Sequence, residues 1–182
     1  MIIRSAHVGD EEGLARAYVD TWKAAYRGLL RQTVLDALTY EGVTIQWVRT
    51  LEQSDTITFL AQDELQRIVG FITAGKVGGG ATGFSSEVYT LYVLPSHQRH
   101  GTGRRLLRAA TDALASAGHR SLIIWVLKGN PAGAFYRKMG GVQVAEKTTQ
   151  LANDLYGEIA FGWLDISTVG QDPSSVSHAR SE

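Results

Sequence analysis

The sequence has no cysteine among its 182 residues. Disulfide bonds, thiolate ligands for a metal and a cysteine nucleophile are therefore excluded together, and we predict a protein without a metal. An excess of charge of one sign is also missing, because 18 lysines and arginines balance 18 aspartates and glutamates. A neutral chain has no overall field that attracts a polyanion, so we expect no nucleic-acid partner.

Long hydrophobic runs are absent as well. The longest strongly apolar stretch, Leu122 to Leu127, is far too short to span a bilayer, and residues 1–10 lack the basic and apolar regions of a signal peptide. We therefore expect a soluble, cytoplasmic protein with no membrane partner. Hydrophobic residues make up 44% of the chain, which is enough for one domain of ordinary size and leaves little for a second.

The spacing of apolar residues predicts a mixture of strands and helices. A strand opens at Ile2, and Asp10 is placed to cap the helix that follows it. The further prediction, in chain order, is a helix over 33–51, strands over 56–62, 67–75 and 87–94, a helix over 103–117, a strand over 121–127, a helix over 130–139, and strands over 142–145 and 158–163. Glycines at 78–80 and 83 predict a mobile loop. This order predicts an α/β (α+β) domain over 1–166, with a mixed, mostly antiparallel sheet flanked by helices, and a disordered Ser-rich tail over 167–182.

The most informative segment is a glycine-rich loop that joins a strand to a helix, with the sequence Gln-Arg-His-Gly-Thr-Gly-Arg at 98–104. A helix start presents unpaired N–H groups and a partial positive charge, and glycines let a diphosphate approach that backbone. Arginines at 99, 104, 105 and 108 occur here without an acid. A dinucleotide loop would need a third glycine where Leu106 stands, and the Gly-Lys-Ser/Thr of a P-loop is absent. We predict a site for a phosphate ester; a tight turn with solvated arginines is the alternative.

These residues resemble a known family. Gln98, Gly101 and Gly103, after a strand that ends Leu-Tyr-Val-Leu-Pro at 91–95, are similar to the Q-x-x-G-x-G signature of the GNAT superfamily of acetyl-CoA-dependent N-acyltransferases. The segment Asn-Pro-Ala-Gly-Ala-Phe-Tyr-Arg-Lys-Met-Gly at 130–140 is similar to that family's second signature. The resemblance implies an N-acetyltransferase that moves the acetyl group from acetyl-CoA, its co-substrate, to a primary amine of a small molecule or peptide by direct attack.

The resemblance also implies which residues bind acetyl-CoA. In this family the backbone of the strand before the loop pairs with the pantetheine arm as an added strand would, and a bulge aims one N–H, assigned here to Val93, at the acetyl carbonyl. Asn130 is expected to bond the pantetheine amide or to hold the splayed strands, and it also suits the N-cap of a helix that Pro131 begins. The residues predicted to bind acetyl-CoA are Leu91, Tyr92, Val93, Gln98, Arg99, His100, Gly101, Thr102, Gly103, Arg104, Asn130, Phe135 and Tyr136.

Acetyl transfer needs a base for the amine and an acid for the leaving thiolate. Glu87 matches a position from which members of the family draw a base, directly or through water, and a solvated strand-end carboxylate is the alternative. Tyr136 matches the family's usual proton donor. A phenol has a reference pKa of about 10 and a thiol about 8.5, so Tyr136 must lie beside the sulfur. One departure is Gly141, where many relatives have a phenylalanine that packs beneath the site.

The acceptor pocket is predicted from helical and strand spacing. Trp22 and Tyr26 lie four residues apart on one helical face, although a core role is the favoured alternative for Trp22. Tyr89 shares the strand parity of Glu87 and Leu91, which predicts all three side chains on one face. Trp22, Tyr26 and Tyr89 are therefore predicted to bind the acceptor.

The identity of the acceptor stays open at this stage. Small amines, peptide N-termini and antibiotic amino groups are all compatible with the sequence, and Trp125 is assigned to the core because it lies in a buried strand. A non-catalytic acyl-CoA sensor is the chief alternative function. Exposed edges of a mixed sheet add a homodimer as a hypothesis.

Overall fold

The structure is a computed structural model that describes residues 1–52, 55–78 and 83–171. Its strands are, in chain order, β1 (Ile2–Ser5), β2 (Thr56–Gln62), β3 (Ile68–Lys76), β4 (Ser86–Val93), β5 (Leu122–Leu127), β6 (Val142–Leu151) and β7 (Asp154–Trp163). They form one sheet in the order β1-β2-β3-β4-β5-β7-β6. Only the β4–β5 pair among these strands is parallel. The predicted mixed, mostly antiparallel sheet is confirmed.

Helices lie on both faces of this sheet. They are α1 (Glu11–Ala25), α2 (Gln32–Asp36), α3 (Tyr40–Leu51), α4 (Thr102–Ser116) and α5 (Ala132–Lys138). On one face, which we call the α4 face, α4 buries Leu106, Leu107 and Ala110 against the central strands. On the other, which we call the α1 face, α1 and α3 pack around Leu60 and Phe71. The alternation of side chains along each strand therefore fills a core on each face, and a smaller cluster of Tyr26, Leu30, Leu35 and Leu127 lies beside the core on the α1 face.

Two helix starts differ from the sequence prediction. The helix predicted over 33–51 is in fact α2 and α3, because Thr39 starts a new helix by accepting a hydrogen bond from the Gly42 N–H at 3.1 Å. Asp10 stands at the N-terminus of α1 without capping it through its side chain. Its carboxylate instead accepts two hydrogen bonds from the Arg4 guanidinium, each 2.7 Å long.

The end of the domain lies later than predicted. Residues 167–171 were assigned to the tail, but Val169 is buried with Ile166 in the main core, and the Gly170 N–H donates to the Met139 carbonyl at 2.9 Å. This part of the domain contains only a single 3₁₀ turn, at Ile166–Thr168. A turn this short buries isolated side chains and therefore produces no periodic pattern of apolar residues in the sequence. Residues 172–182, and most of the predicted glycine loop at 79–82, lie outside the described residues. None of the described helices has the length and apolar character needed to cross a membrane.

Candidate active site

The parallel strands β4 and β5 separate part of the way along the sheet. Their pairing runs from Ser86 with Leu122 to Val88 with Ile124 and goes no further. Beyond that point β4 stays paired with β3, while β5 continues beside β7 to Leu127. The facing edges of the two strands offer N–H and C=O groups to a ligand. We call this opening the gap.

A β-bulge in β4 lies at the start of the gap. Thr73 of β3 pairs with Thr90, whereas the next residue, Ala74, pairs with Val88. Tyr89 is therefore the extra residue of the bulge. The bulge that the family resemblance implied is present, and it lies toward the start of β4 rather than beside Val93.

The bulge decides which backbone groups of β4 face the gap. The N–H of Leu94 donates a hydrogen bond to the carbonyl of Val69 in β3 at 2.9 Å, so the N–H of Leu94 faces β3. Because backbone groups alternate along an antiparallel ladder, the N–H of Tyr92 also faces β3, and those of Leu91 and Val93 face the gap. Of the β4 residues predicted to pair with pantetheine, Leu91 and Val93 thus have their N–H groups in position.

The same bulge decides which side chains share a face. Leu91 packs in the core beneath α4, whereas Tyr92 packs on the α1 face. Glu87 lies on the α1 face, and so does Tyr89, whose hydroxyl covers Gly75, the residue paired with Glu87. The prediction that Leu91 shares this face is wrong, because the extra residue inverts the alternation of side chains.

The glycine-rich loop brings the start of α4 to the far end of the gap. Gly101 has a φ of 82° and Arg99 a φ of 64°, both in the left-handed region that a sharp bend requires. The Arg105 N–H donates to the Gly101 carbonyl at 3.0 Å, so the N–H groups before it lie at the open end of the helix. Nε2 of Gln98 donates to the Val93 carbonyl at 2.8 Å, which ties the loop to the end of β4.

The side chains around this helix start are basic and exposed. The exposed set is Arg99, His100, Arg104, Arg105 and Arg108. Thr102 differs, because it is buried and its hydroxyl donates to the His97 carbonyl at 3.1 Å, which stabilises the loop. Open N–H groups, the positive end of a helix dipole and guanidinium groups are features that attract a phosphate group, and all three occur together here.

The second motif packs α5 against this loop. Oδ1 of Asn130 accepts a hydrogen bond from the Ala132 N–H at 2.9 Å, so Asn130 caps the first turn of α5. If Gly103 were replaced by a residue with a β-carbon, that carbon would lie 3.5 Å from the ring of Phe135. The two sequence motifs are therefore in direct contact.

Tyr136 is buried in the core on the α4 face. It is 4% exposed, and its ring centroid lies 5.9 Å from that of Phe161. Burial, with a smaller contribution from the phenol of Tyr26, raises the pKa of Tyr136 above its ordinary value. Tyr26 lies in a smaller buried cluster with Leu30, Leu35 and Leu127, and Tyr92 of the α1 face packs against this cluster. Since paired strands separate the two faces elsewhere, we infer that these phenols approach each other through the gap.

Aromatic hydroxyls gather on the α1 side of the gap. Nε1 of Trp22 donates to the Tyr92 hydroxyl at 2.8 Å, and the Tyr26 hydroxyl lies 3.3 Å from the same oxygen. Burial raises the pKa of Tyr26, and hydrogen bonds with Tyr92 and Asn130 lower it in part. Trp22 and Tyr26, predicted to bind the acceptor, are thus brought together with Asn130 and Tyr136, predicted to bind acetyl-CoA.

Glu87 and Tyr89 lie where β4 and β5 begin to separate, at the end of the gap opposite to the glycine-rich loop. Glu87 immediately precedes Val88, which is paired with β5, and its carboxylate accepts a hydrogen bond from the Gly78 N–H at 3.3 Å. The Tyr89 hydroxyl donates to the Lys76 carbonyl at 2.6 Å. Burial, and then the charge of Glu87, raises the pKa of Tyr89. The structure therefore places Tyr89 beside the candidate base and apart from the Trp22–Tyr26 pair.

A carboxylate that no local pattern in the sequence indicates lies beside the tyrosines. Glu158 of β7 is paired with Leu127, and its charge contributes to the raised pKa of Tyr26. Trp125, which was assigned to the core, is only half-buried and has the ammonium group of Lys147 over its ring. These residues meet through the register of β5, β7 and β6, which no local feature of the sequence indicates.

The chain is similar in sequence to known acetyltransferases. The family model described as an acetyltransferase (GNAT) domain matches residues 54–140. The uncharacterised N-acetyltransferase YuaI of Bacillus subtilis is 31% identical over 168 residues, which cover 92% of this chain and 95% of YuaI.

Solved structures are similar in fold. The PaiA N-acetyltransferase of Thermoplasma acidophilum, in complex with coenzyme A, superposes with a TM-score of 0.64 at 20% identity, over 87% of this chain and 96% of that one. The protein smu.2055 of Streptococcus mutans superposes with a TM-score of 0.70 at 21% identity, over 91% and 99% of the two chains.

Proposed function

This chain belongs to the GNAT family of acetyltransferases, and on that premise we propose that it moves the acetyl group of acetyl-CoA to a primary amine of a small molecule or peptide by direct attack. The observation that carries the proposal is the gap between β4 and β5, with the backbone N–H groups of Leu91 and Val93 directed into it. A basic helix start adjoins one end of the gap and Glu87 the other.

Acetyl-CoA would lie along the gap. Its pyrophosphate would accept hydrogen bonds from the N–H groups of 99–104, and its pantetheine amides would pair with Leu91 and Val93. The coenzyme A complex of a structural relative supports this assignment. The thioester would then lie near the bulge at Tyr89. Leu91 has the gap-facing N–H nearer to that bulge, so we assign the oxyanion-stabilising N–H to Leu91 in place of Val93.

Attack by a neutral amine forms an N–C bond and breaks the C–S bond, with one proton leaving the nitrogen and one reaching the thiolate; an acceptor that binds as an ammonium ion must first release a further proton to Glu87 or to solvent. Glu87 is assigned to accept the amine proton, directly or through water, and Tyr136 to protonate the sulfur. Burial raises the pKa of Tyr136, which opposes donation, but a thiolate in the same dry gap also becomes more basic. Proton transfer between them therefore depends on close placement.

The test is release of thiol from acetyl-CoA in the presence of a panel of amines, with the acetylated product identified by mass spectrometry. The protein has no cysteine, so a thiol reagent reports only the coenzyme. Release with an amine supports the proposal. Binding of acetyl-CoA without release from any amine would instead favour the acyl-CoA sensor. The cytoplasmic location, the lack of a metal and the homodimer stay predictions from the sequence.

A further inference from the structure

The ammonium group of Lys147 lies between an indole ring and a carboxylate on the α1 face. Its Nζ is 4.0 Å from the ring centroid of Trp125 and 3.4 Å from Oε2 of Glu158. The negative face of the indole and the charge of the carboxylate both attract a cation at this position. We call Trp125 and Glu158 together the ammonium site.

The register of three strands builds the ammonium site. Trp125 is paired with Ala160, and Ala160 with Ala145, so methyl groups flank the indole on the side of β7 and β6. Two residues away along β7, Glu158 is paired with Lys147. Small neighbours leave the face of the indole accessible, and the diagonal spacing brings the carboxylate within reach of a cation on that face.

The ammonium site adjoins the reacting end of the gap. Trp125 directly follows Ile124, which is paired with Val88 at the point where the strands separate. Glu158 is close enough to Tyr26 for its charge to affect that phenol. A molecule whose amino group attacks in the gap on the α1 face can therefore extend toward Trp125 and Glu158.

The interaction of the Lys147 ammonium group with this site is weak. Its side chain is 47% exposed, whereas that of Glu158 is 18% exposed, and it extends from the edge strand β6. The 3.4 Å separation is long for a charge-assisted hydrogen bond, which is usually about 2.7–2.9 Å. Partly exposed ion pairs of this kind contribute little free energy, so an ammonium group from another molecule can replace that of Lys147.

We propose that the ammonium site binds a second positively charged amino group of the acceptor, which displaces Lys147, so that aliphatic diamines are preferred over monoamines. The inference rests on the proposed acetyl transfer, since the amine that is acetylated is the other end of the same molecule. A monoamine lacks the group that exchanges with Lys147 and gains nothing from Trp125 and Glu158.

The first experiment is calorimetric titration with 1,4-diaminobutane and with 1-aminobutane as its matched monoamine. Lys147→Met removes the internal competitor and should raise the ratio of diamine to monoamine affinity about fivefold. Lys128→Met is the control, because Lys128 also pairs with a carboxylate, that of Glu146 at 2.5 Å, and the change removes the same charge. The titration needs no acetyl-CoA. It therefore still measures the two amine affinities if the protein proves not to transfer acetyl groups.

The second experiment removes the site itself. Glu158→Gln and Trp125→Leu should each lower the ratio of diamine to monoamine affinity, and the corresponding ratio of kcat/KM, about two- to fivefold. Lys147→Met changes an exposed side chain, so its result stands even if a Trp125 variant fails to fold. The inference is overturned if Lys147→Met and Lys128→Met give the same ratio, if no variant changes it, or if wild type and Lys147→Met bind no diamine.

Discussion

The indole ring of Trp163 lies against the backbone of Gly141. A β-carbon at position 141 would be 2.7 Å from Cζ2 of the indole and 3.0 Å from the carbonyl oxygen of Tyr136. Trp163 is 2% exposed, and its Nε1 donates to the Met139 carbonyl at 2.9 Å. The aromatic group that the family resemblance leads one to expect at 141 is thus supplied from β7, which explains why this chain has glycine there.

Gly141→Ala should destabilise the protein, because the added methyl group overlaps the indole and the adjacent carbonyl. We expect a loss of about 1–3 kcal/mol, measured by urea unfolding. In a Trp163→Phe background the smaller ring leaves room, so the same alanine should cost less than in the wild type. Equal costs in both backgrounds would contradict this account of the contact.

Gly103→Glu should abolish acetyl-CoA binding by placing a carboxylate where the pyrophosphate is expected. Gly103→Ala is the matched control, since a β-carbon there meets Phe135 at 3.5 Å, an ordinary contact. Calorimetry should show binding for the alanine variant and none for the glutamate variant. Unchanged affinity in a folded Gly103→Glu protein would show that 98–104 is not the phosphate loop.

Tyr136→Phe keeps the buried ring and removes the proton that the proposed mechanism gives to the thiolate. We expect kcat to fall on the order of a hundredfold, with acetyl-CoA affinity nearly unchanged. Tyr40→Phe, at an exposed tyrosine on α3, serves as the control. Full turnover by Tyr136→Phe would assign the proton to water or to another residue.

Glu87→Gln preserves the shape of the side chain and removes its basicity. An alkylammonium with a reference pKa of about 10.4 must lose a proton before attack, so the acidic limb of the kcat/KM profile should change while acetyl-CoA affinity does not. Glu64→Gln, in the exposed β2–β3 turn, is the control. If Glu87→Gln keeps the wild-type rate and profile, Glu87 is a solvated residue and ordered water becomes the candidate base.

The Arg4–Asp10 pair should make stability depend on pH in acid. Hydrogen bonds from Arg4 hold the pKa of Asp10 below its ordinary value. A carboxylate whose pKa is lower in the folded state than in the unfolded state stabilises the folded protein. This contribution is fully present at pH values above the unfolded-state pKa of about 3.9, and it is lost as the pH falls through the lower pKa of the folded state.

Asp10→Asn should therefore cost about 1–3 kcal/mol at pH 7 and markedly less at pH 2–3, as measured by urea unfolding. Asp112→Asn is the control, because its pair with Arg108 is exposed on both sides and should contribute little. A cost for Asp10→Asn that is the same at both pH values would exclude the ion pair as its source.

Much of the fold and the geometry of the glycine-rich loop could be predicted, because both leave local features in the sequence. Helical and strand spacing fixed the order of the elements, and glycines next to arginines at a helix start indicated an anion site. The direction of the strand side chains could not be predicted beyond Val88. Regular alternation along the strand predicts the side chains of Leu91 and Glu87 on the same face of the sheet. The bulge at Tyr89 places them on opposite faces.

The sequence by itself determined most of the elements, their order and the two motifs of the family, since each depends on residues that are neighbours along the chain. Tertiary structure alone decided that Trp163 fills the space beside Gly141 and that Lys147 reaches Trp125. Both contacts depend on pairing between distant strands, in which a shift of one residue turns every side chain to the opposite face.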